Sequence, residues 1–148
     1  MKRLVLVVAA VVLLAGCGGS GRLSKAAYEQ KLQADGNAVQ SAVTALTKTA
    51  TTSLAQFATK VDAAEAAVKK AADDLDAAKP PSDAEADNAA IVAGLRRIQT
   101  GLEQVKKSPT TAAAIVGQIE SSPELKAATK ATAVLKKKGY KVGVIGAA

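Results

Sequence analysis

From Tyr28 to Leu75 the apolar residues fall at Tyr28, Leu32, Val39, Val43, Leu46, Ala50, Leu54, Phe57, Val61, Ala64, Val68 and Leu75. The steps are threes, fours and their sum of seven, the signature of one helical face. A stripe this long has to be buried against other helices. As one unbroken helix it would be a rod of roughly 80 Å, too long for a chain of 148 residues to pack compactly. The stripe therefore has to fold back on itself. "TKTATTS", Thr47 to Ser53, is its weakest helical stretch, rich in β-branched and hydroxyl side chains that compete for the backbone. A turn or sharp kink is expected there, although the phase of the stripe runs straight across it.

Further along, the punctuation is plainer. Pro80 and Pro81 end the preceding helix, and Ser82 with Glu85 three residues later reads as a capping box. Ile91, Val92, Leu95, Ile98, Leu102 and Val105 form the next stripe, which stops at "KKSP". Ala112, Ile115, Val116 and Ile119 mark a shorter helix. "SSPEL" then restarts the chain with Ser122 as N-cap, Pro123 at the first position and Glu124 in the first turn. Lys136, Lys137 and Lys138 face the negative end of the last helix dipole, and Gly139 is the C-cap. Residues 24–50, 52–79, 82–107 and 110–138 are thus four segments of similar length. The expected fold is all-α, an alanine-rich antiparallel up-and-down bundle of about four helices, the last split at Pro123. "YKVGVIG", Tyr140 to Gly146, is the one apolar stretch without helical spacing. It is expected as a short extended tail, residues 140–148, laid on the bundle.

Ahead of the bundle stands "MKRLVLVVAAVVLLAGC". Lys2 and Arg3 form a basic start, Leu4 to Leu14 a continuous apolar run, and the small residues Ala15 and Gly16 precede Cys17. That is the layout of a secretory signal, and the glycine-rich "GGSGR" follows too soon for the roughly 20 apolar residues of a membrane span. Cys17 is the only cysteine, so no internal disulfide can form. Leu14-Ala15-Gly16-Cys17 resembles the lipobox of bacterial lipoproteins. The resemblance implies cleavage between Gly16 and Cys17, a diacylglyceryl thioether on the Cys17 sulfur and an N-acyl chain, such as palmitate, on the new N-terminus. Two or more acyl chains anchor a protein stably where one does not. The expected organisation is a cleaved signal peptide at 1–16, a lipidated cysteine and flexible tether at 17–23, and a helical domain at 24–139.

Composition narrows the function. There is no histidine and no tryptophan, and aromatics are 2%. The commonest general base and transition-metal ligand is therefore missing. No serine begins an S-x-x-K, there is no G-x-S-x-G, and the glycines of "KKKGYKVGVIG" are not followed by G-K-[ST]. "DDLD", Asp73 to Asp76, sits three or four residues from Lys69, Lys70 and Lys79, which is the spacing of ion pairs on a helix surface. No enzyme, cofactor or metal is expected. Nucleic acid is not expected either, for an exported chain with so few stacking side chains.

The formal charge of +7 is unevenly spread. Residues 25–90 carry 7 basic and 10 acidic side chains, whereas residues 91–148 carry 10 basic and 3 acidic. Lys136, Lys137, Lys138 and Lys141, with Arg96 and Arg97 nearby, form a candidate contact for an anionic surface such as lipid headgroups or a wall polymer. The mature part resembles small helical lipoproteins of high-GC Gram-positive bacteria in its Tyr28 helix, its Pro80-Pro81 hinge, the Ile91 to Leu95 segment and the Gly139 to Gly143 end. That resemblance brings no activity with it. It implies a cysteine pair in many relatives, which this chain lacks. Two functions follow as expectations. One is a lipid-anchored, non-catalytic interaction or structural protein on the extracytoplasmic face of the cell membrane, holding an envelope protein or anionic polymer. Gly18 after the cysteine is compatible with outer-membrane sorting in a cell with two membranes. The other is a small-ligand-binding lipoprotein with a pocket between helices.

Overall fold

Five helices make up most of the described chain: α1 Lys25–Lys48, α2 Leu54–Asp76, α3 Glu85–Lys107, α4 Ala112–Ser121 and α5 Pro123–Lys137. The computed structural model describes residues 21–48 and 53–143, and no strand occurs among them. The leader with Cys17, residues 49–52 and residues 144–148 lie outside the described residues. One-turn 3-10 helices at Ser82–Ala84 and Pro109–Thr111 lead into α3 and α4.

Serine hydroxyls open three of the helices. The Ser24 Oγ accepts from the Ala27 N–H at 3.2 Å, Ser53 from Gln56 at 3.2 Å, and Ser122 from Leu125 at 3.3 Å. Each satisfies an N–H that has no partner inside its helix. The capping box expected at Ser82 and Glu85 does not form. The Ala84 N–H turns back to the Pro81 carbonyl at 2.9 Å, so a 3-10 turn intervenes and α3 starts only at Glu85. The Glu85 carboxylate is drawn off to Arg22, 2.9 Å away.

The long apolar stripe is shared by two helices, α1 and α2, and ion pairs give their direction. Lys31, near the start of α1, lies 3.7 Å from Asp74, near the end of α2. Lys106, at the end of α3, lies 2.5 Å from Asp62, early in α2. Lys138, just past α5, lies 2.6 Å from Asp87 at the start of α3. Successive members are therefore antiparallel. α1 packs on α2, α2 on α3, and α3 on both α4 and α5. The fourth member is broken between Ser121 and Pro123, so the all-α bundle with a split last rod is what the chain forms.

Tyr28, Leu32, Val61, Val68, Leu75, Ile91, Leu95 and Leu135 are fully enclosed, with small residues such as Ala64, Ala72 and Ala84 between them. Small side chains let helix axes approach closely at the expense of apolar area per residue. The stripe is not buried throughout: Leu54 is 68% exposed and Val43 39%. α3 ends at Lys107, with Lys106 beside Asp62 in the third turn of α2, so α3 does not run alongside Leu54 or the end of α1.

The chain leaves α5 through Gly139, whose φ is +76°. The Tyr140 N–H reaches the Leu135 carbonyl at 2.9 Å and the Gly139 N–H reaches Lys136 at 3.0 Å. This is the Schellman arrangement, which needs a left-handed residue that glycine adopts without strain. The next residues run along α1. Val142 is half-buried, and a Cβ on Gly143 would stand 3.4 Å from the Gln33 Cα. As far as Gly143, the tail is a non-helical segment laid against α1.

Candidate functional site

One end of the bundle gathers the start of α1, the α2–α3 connection and the exit from α5, and it holds most of the polar side chains that bridge different helices. Its centre is Asn88, on the α3 face that also buries Ile91 and Leu95. Asn88 Oδ1 accepts from the Tyr28 hydroxyl at 2.8 Å, and its Nδ2 donates to the Leu75 carbonyl at 2.9 Å. One buried amide thus ties α1, α2 and α3 together, and it satisfies a carbonyl of the last turn of α2.

Tyr140 closes this end. Its ring meets Tyr28 edge-on, with centroids 6.0 Å apart and planes at 82°, a geometry that aromatic quadrupoles favour. Its hydroxyl donates to Asp83 at 2.8 Å. Lys25 Nζ lies 4.5 Å from the Tyr140 ring centre and donates to the Lys138 carbonyl at 3.0 Å. Burial first, and the Asp83 contact second, push the Tyr140 phenol up to about 12. Burial also raises Tyr28, with the neighbouring Tyr140 and Asp87 acting in the same sense. Both hydroxyls therefore remain protonated donors at neutral pH.

The start of the chain is bound into the same end. The Leu23 N–H donates to the Lys79 carbonyl at 2.7 Å. Arg22 donates to the Pro80 carbonyl at 3.0 Å and to Glu85 at 2.9 Å. Arg22 and Leu23, expected in a flexible tether over 17–23, are instead bonded to the folded body, and residues 17–20 lie outside the described residues. Gly21, with φ +62°, is the first of the described residues.

The predicted basic cluster divides. Lys136, Lys137 and Lys141 are exposed. Lys138 is not a free cation: its Nζ is held by the Asp87 carboxylate and the Asp83 carbonyl. Arg96 is not beside the cluster, because it reaches across to α2, 2.6 Å from Asp73 and 3.8 Å from Asp76. Arg97 makes no ion pair among the described residues. Cys17 and Gly16 lie outside the described residues. Lys69–Asp73 at 2.6 Å and Lys70–Asp74 are pairs of the kind the spacing implied. On α3, where the i, i+4 spacing also predicts a pair of Glu103 with Lys107, Glu103 accepts from Gln99 at 3.2 Å. Among the described residues, no three acidic, cysteine or histidine side chains are grouped as a metal site would need.

Asn88, Asp83, Asp87, Lys25 and Arg22 were not singled out from the sequence. Only Asn88 carried a signal, three residues before Ile91 and seven before Leu95. Asp35 carried the same kind of signal, three after Leu32 and four before Val39. It is 8% exposed, and its Oδ2 has no hydrogen-bond partner. Lys31 Nζ is 3.8 Å from that oxygen and 3.7 Å from Asp74. Burial lifts the Asp35 carboxyl above the ordinary range; Lys31 opposes the shift and Asp74 reinforces it. A carboxyl raised on folding stabilises the fold fully below its unfolded value near 4. That contribution is lost as pH rises through the folded value. Asp35→Asn removes the buried charge and can donate toward Asp74, so it should gain about 1 kcal/mol at pH 7 and almost nothing at pH 4. Thermal melts of both proteins at the two pH values check this, and an equal difference at both would refute it.

Compared with protein-family models, curated proteins and solved structures, the chain matches none at a significant level.

Proposed function

We propose that this chain is a lipoprotein of the bacterial cell envelope, anchored in a membrane by acyl chains on Cys17, whose bundle is a non-catalytic interaction module outside the cytoplasm. The observation that carries this reading is Cys17 itself: the sole cysteine, behind Leu14-Ala15-Gly16, at the end of a basic-then-apolar leader. Two facts of the fold are consistent with it. Among the described residues, no helix is long and apolar enough to cross a membrane. Arg22 and Leu23 are bonded to the α2–α3 connection, so in this reading Gly18 to Gly21 join the lipid to the protein. An interaction role is preferred to a ligand pocket because Tyr28 and Tyr140, the aromatic groups a pocket would use, direct their hydroxyls to Asn88 and Asp83. The partner is an envelope protein or an anionic polymer.

Cys17→Ser, expressed in a bacterium with the lipoprotein pathway, tests the anchor. The parent protein should incorporate an acyl label, partition into detergent and yield an N-terminal peptide starting at lipidated Cys17. The variant should lose the label and most of its membrane retention. Unchanged labelling in the variant would overturn the reading.

A further inference from the structure

Five of the ten cations of α1, α2 and α3 are spent on carboxylates of neighbouring side chains. Lys31, Lys69, Lys70, Arg96 and Lys106 each lie within 4 Å of a carboxylate. α5 differs. Lys126, Lys130 and Lys137 are exposed and have no ion-pair partner among the described residues. At 100° per residue they fall within about 40° of arc, opposite the side that buries Ala128, Ala131 and Leu135. Glu124, the only acid of α5, projects about 160° away from Lys126. The three lysines thus form a straight line of uncompensated charge roughly 16 Å long, with Thr129, Ala133 and Val134 beside them.

We infer that this outer face of α5 is the surface by which the anchored bundle lies against an anionic lipid bilayer. The inference rests on the lipid-anchored reading above and adds the orientation and the partner chemistry. Charge complementarity selects an anionic occupant. A plane meets three aligned lysines on a rigid helix at once, and the anchor keeps that plane close. From Cys17 to Gly21 the chain spans at most about 17 Å, so the α5 exit stays near the headgroups. The short side chains beside the lysines suit contact at the surface rather than insertion. Each lysine near such a surface strengthens the contact about fivefold, and salt screens it over about 8 Å at physiological ionic strength.

The test uses the full mature protein extracted from membranes and reconstituted in vesicles, with amine-reactive labelling read lysine by lysine. In vesicles containing phosphatidylglycerol, Lys126, Lys130 and Lys137 should label several-fold more slowly than in pure phosphatidylcholine vesicles, with Lys69 and Lys106 unchanged. The protection should vanish in 0.5 M salt. In a Lys126→Gln/Lys130→Gln variant, Lys137 should lose its protection too. Equal labelling in both vesicle types, with lipid present on Cys17, overturns the bilayer contact and leaves the anchor standing. Protection produced only by an added soluble polyanion overturns it in favour of a polymer partner. A Cys17 peptide without lipid overturns the anchored reading itself, and the contact with it.

Discussion

Asn88→Ala should lower the stability of the bundle by about 3 kcal/mol, the cost of leaving buried polar groups without partners. The substitution removes few atoms but orphans two groups at once. The Tyr28 hydroxyl loses its acceptor at 2.8 Å, and the Leu75 carbonyl loses its donor at 2.9 Å. Neither group can readily turn to water, since Tyr28 and Leu75 are both 0% exposed. Tyr28→Phe is the informative companion. It removes the hydroxyl and leaves Asn88 bonded to Leu75, so it should cost only about 1 kcal/mol. In the double variant the two losses should not add, because both delete the same bond. Urea unfolding of the three variants measures this. Additive losses would mean that the amide and the phenol are not energetically coupled.

Gly94→Ala should also destabilise, by about 2 kcal/mol, although alanine is the better helix former by about 1 kcal/mol in a helix interior. Gly94 is buried in the middle of α3 against α5. A Cβ there would stand 2.5 Å from the Ala128 Cβ, 3.3 Å from the Glu124 carbonyl oxygen and 3.8 Å from the Leu125 Cα. None of these is the free end of a flexible side chain, so the strain can be relieved only by moving α5. Gly101 makes a useful contrast. A Cβ there would run into the side chain of Ile119, including its Cγ1 at 2.6 Å. A rotamer change can relieve that clash, so Gly101→Ala should cost less than Gly94→Ala. Ala128→Gly in the Gly94→Ala background should recover part of the loss by vacating the contested space. A drop of about 6 °C in melting temperature is expected for Gly94→Ala in a chain of this size. A rise would mean that the α3–α5 approach is looser than described.

These two cases also mark how far the sequence could be read. Helix number, order and most boundaries followed from periodicity and punctuation, because burial of an apolar face is a property of each segment by itself. Ser24, Ser122 and Gly139 acted as caps for equally local reasons. The misreadings came where a local rule competed with a distant partner. Glu85 had the position for a capping box but was taken by Arg22, 63 residues earlier in the chain. Lys138 looked like one more member of a basic tail until folding placed Asp87 beside it. Arg96 was claimed by α2 for the same reason. The candidate anchor is the opposite case. Its signal is chemical and linear, legible in four consecutive residues, and it owes nothing to the packing of the helices.

The attachment of Arg22 and Leu23 to the α2–α3 connection has a mechanical consequence. With the anchor proposed at Cys17, any pull between the membrane and the bundle would load the chain at this end. If that load passed straight into α1, it would peel the helix open from its first turn. Here the load first meets three bonds in parallel, from Leu23 to Lys79 and from Arg22 to Pro80 and Glu85. Tension is passed to two neighbouring helices before it reaches the first turn of α1, so the joint works as a strain relief.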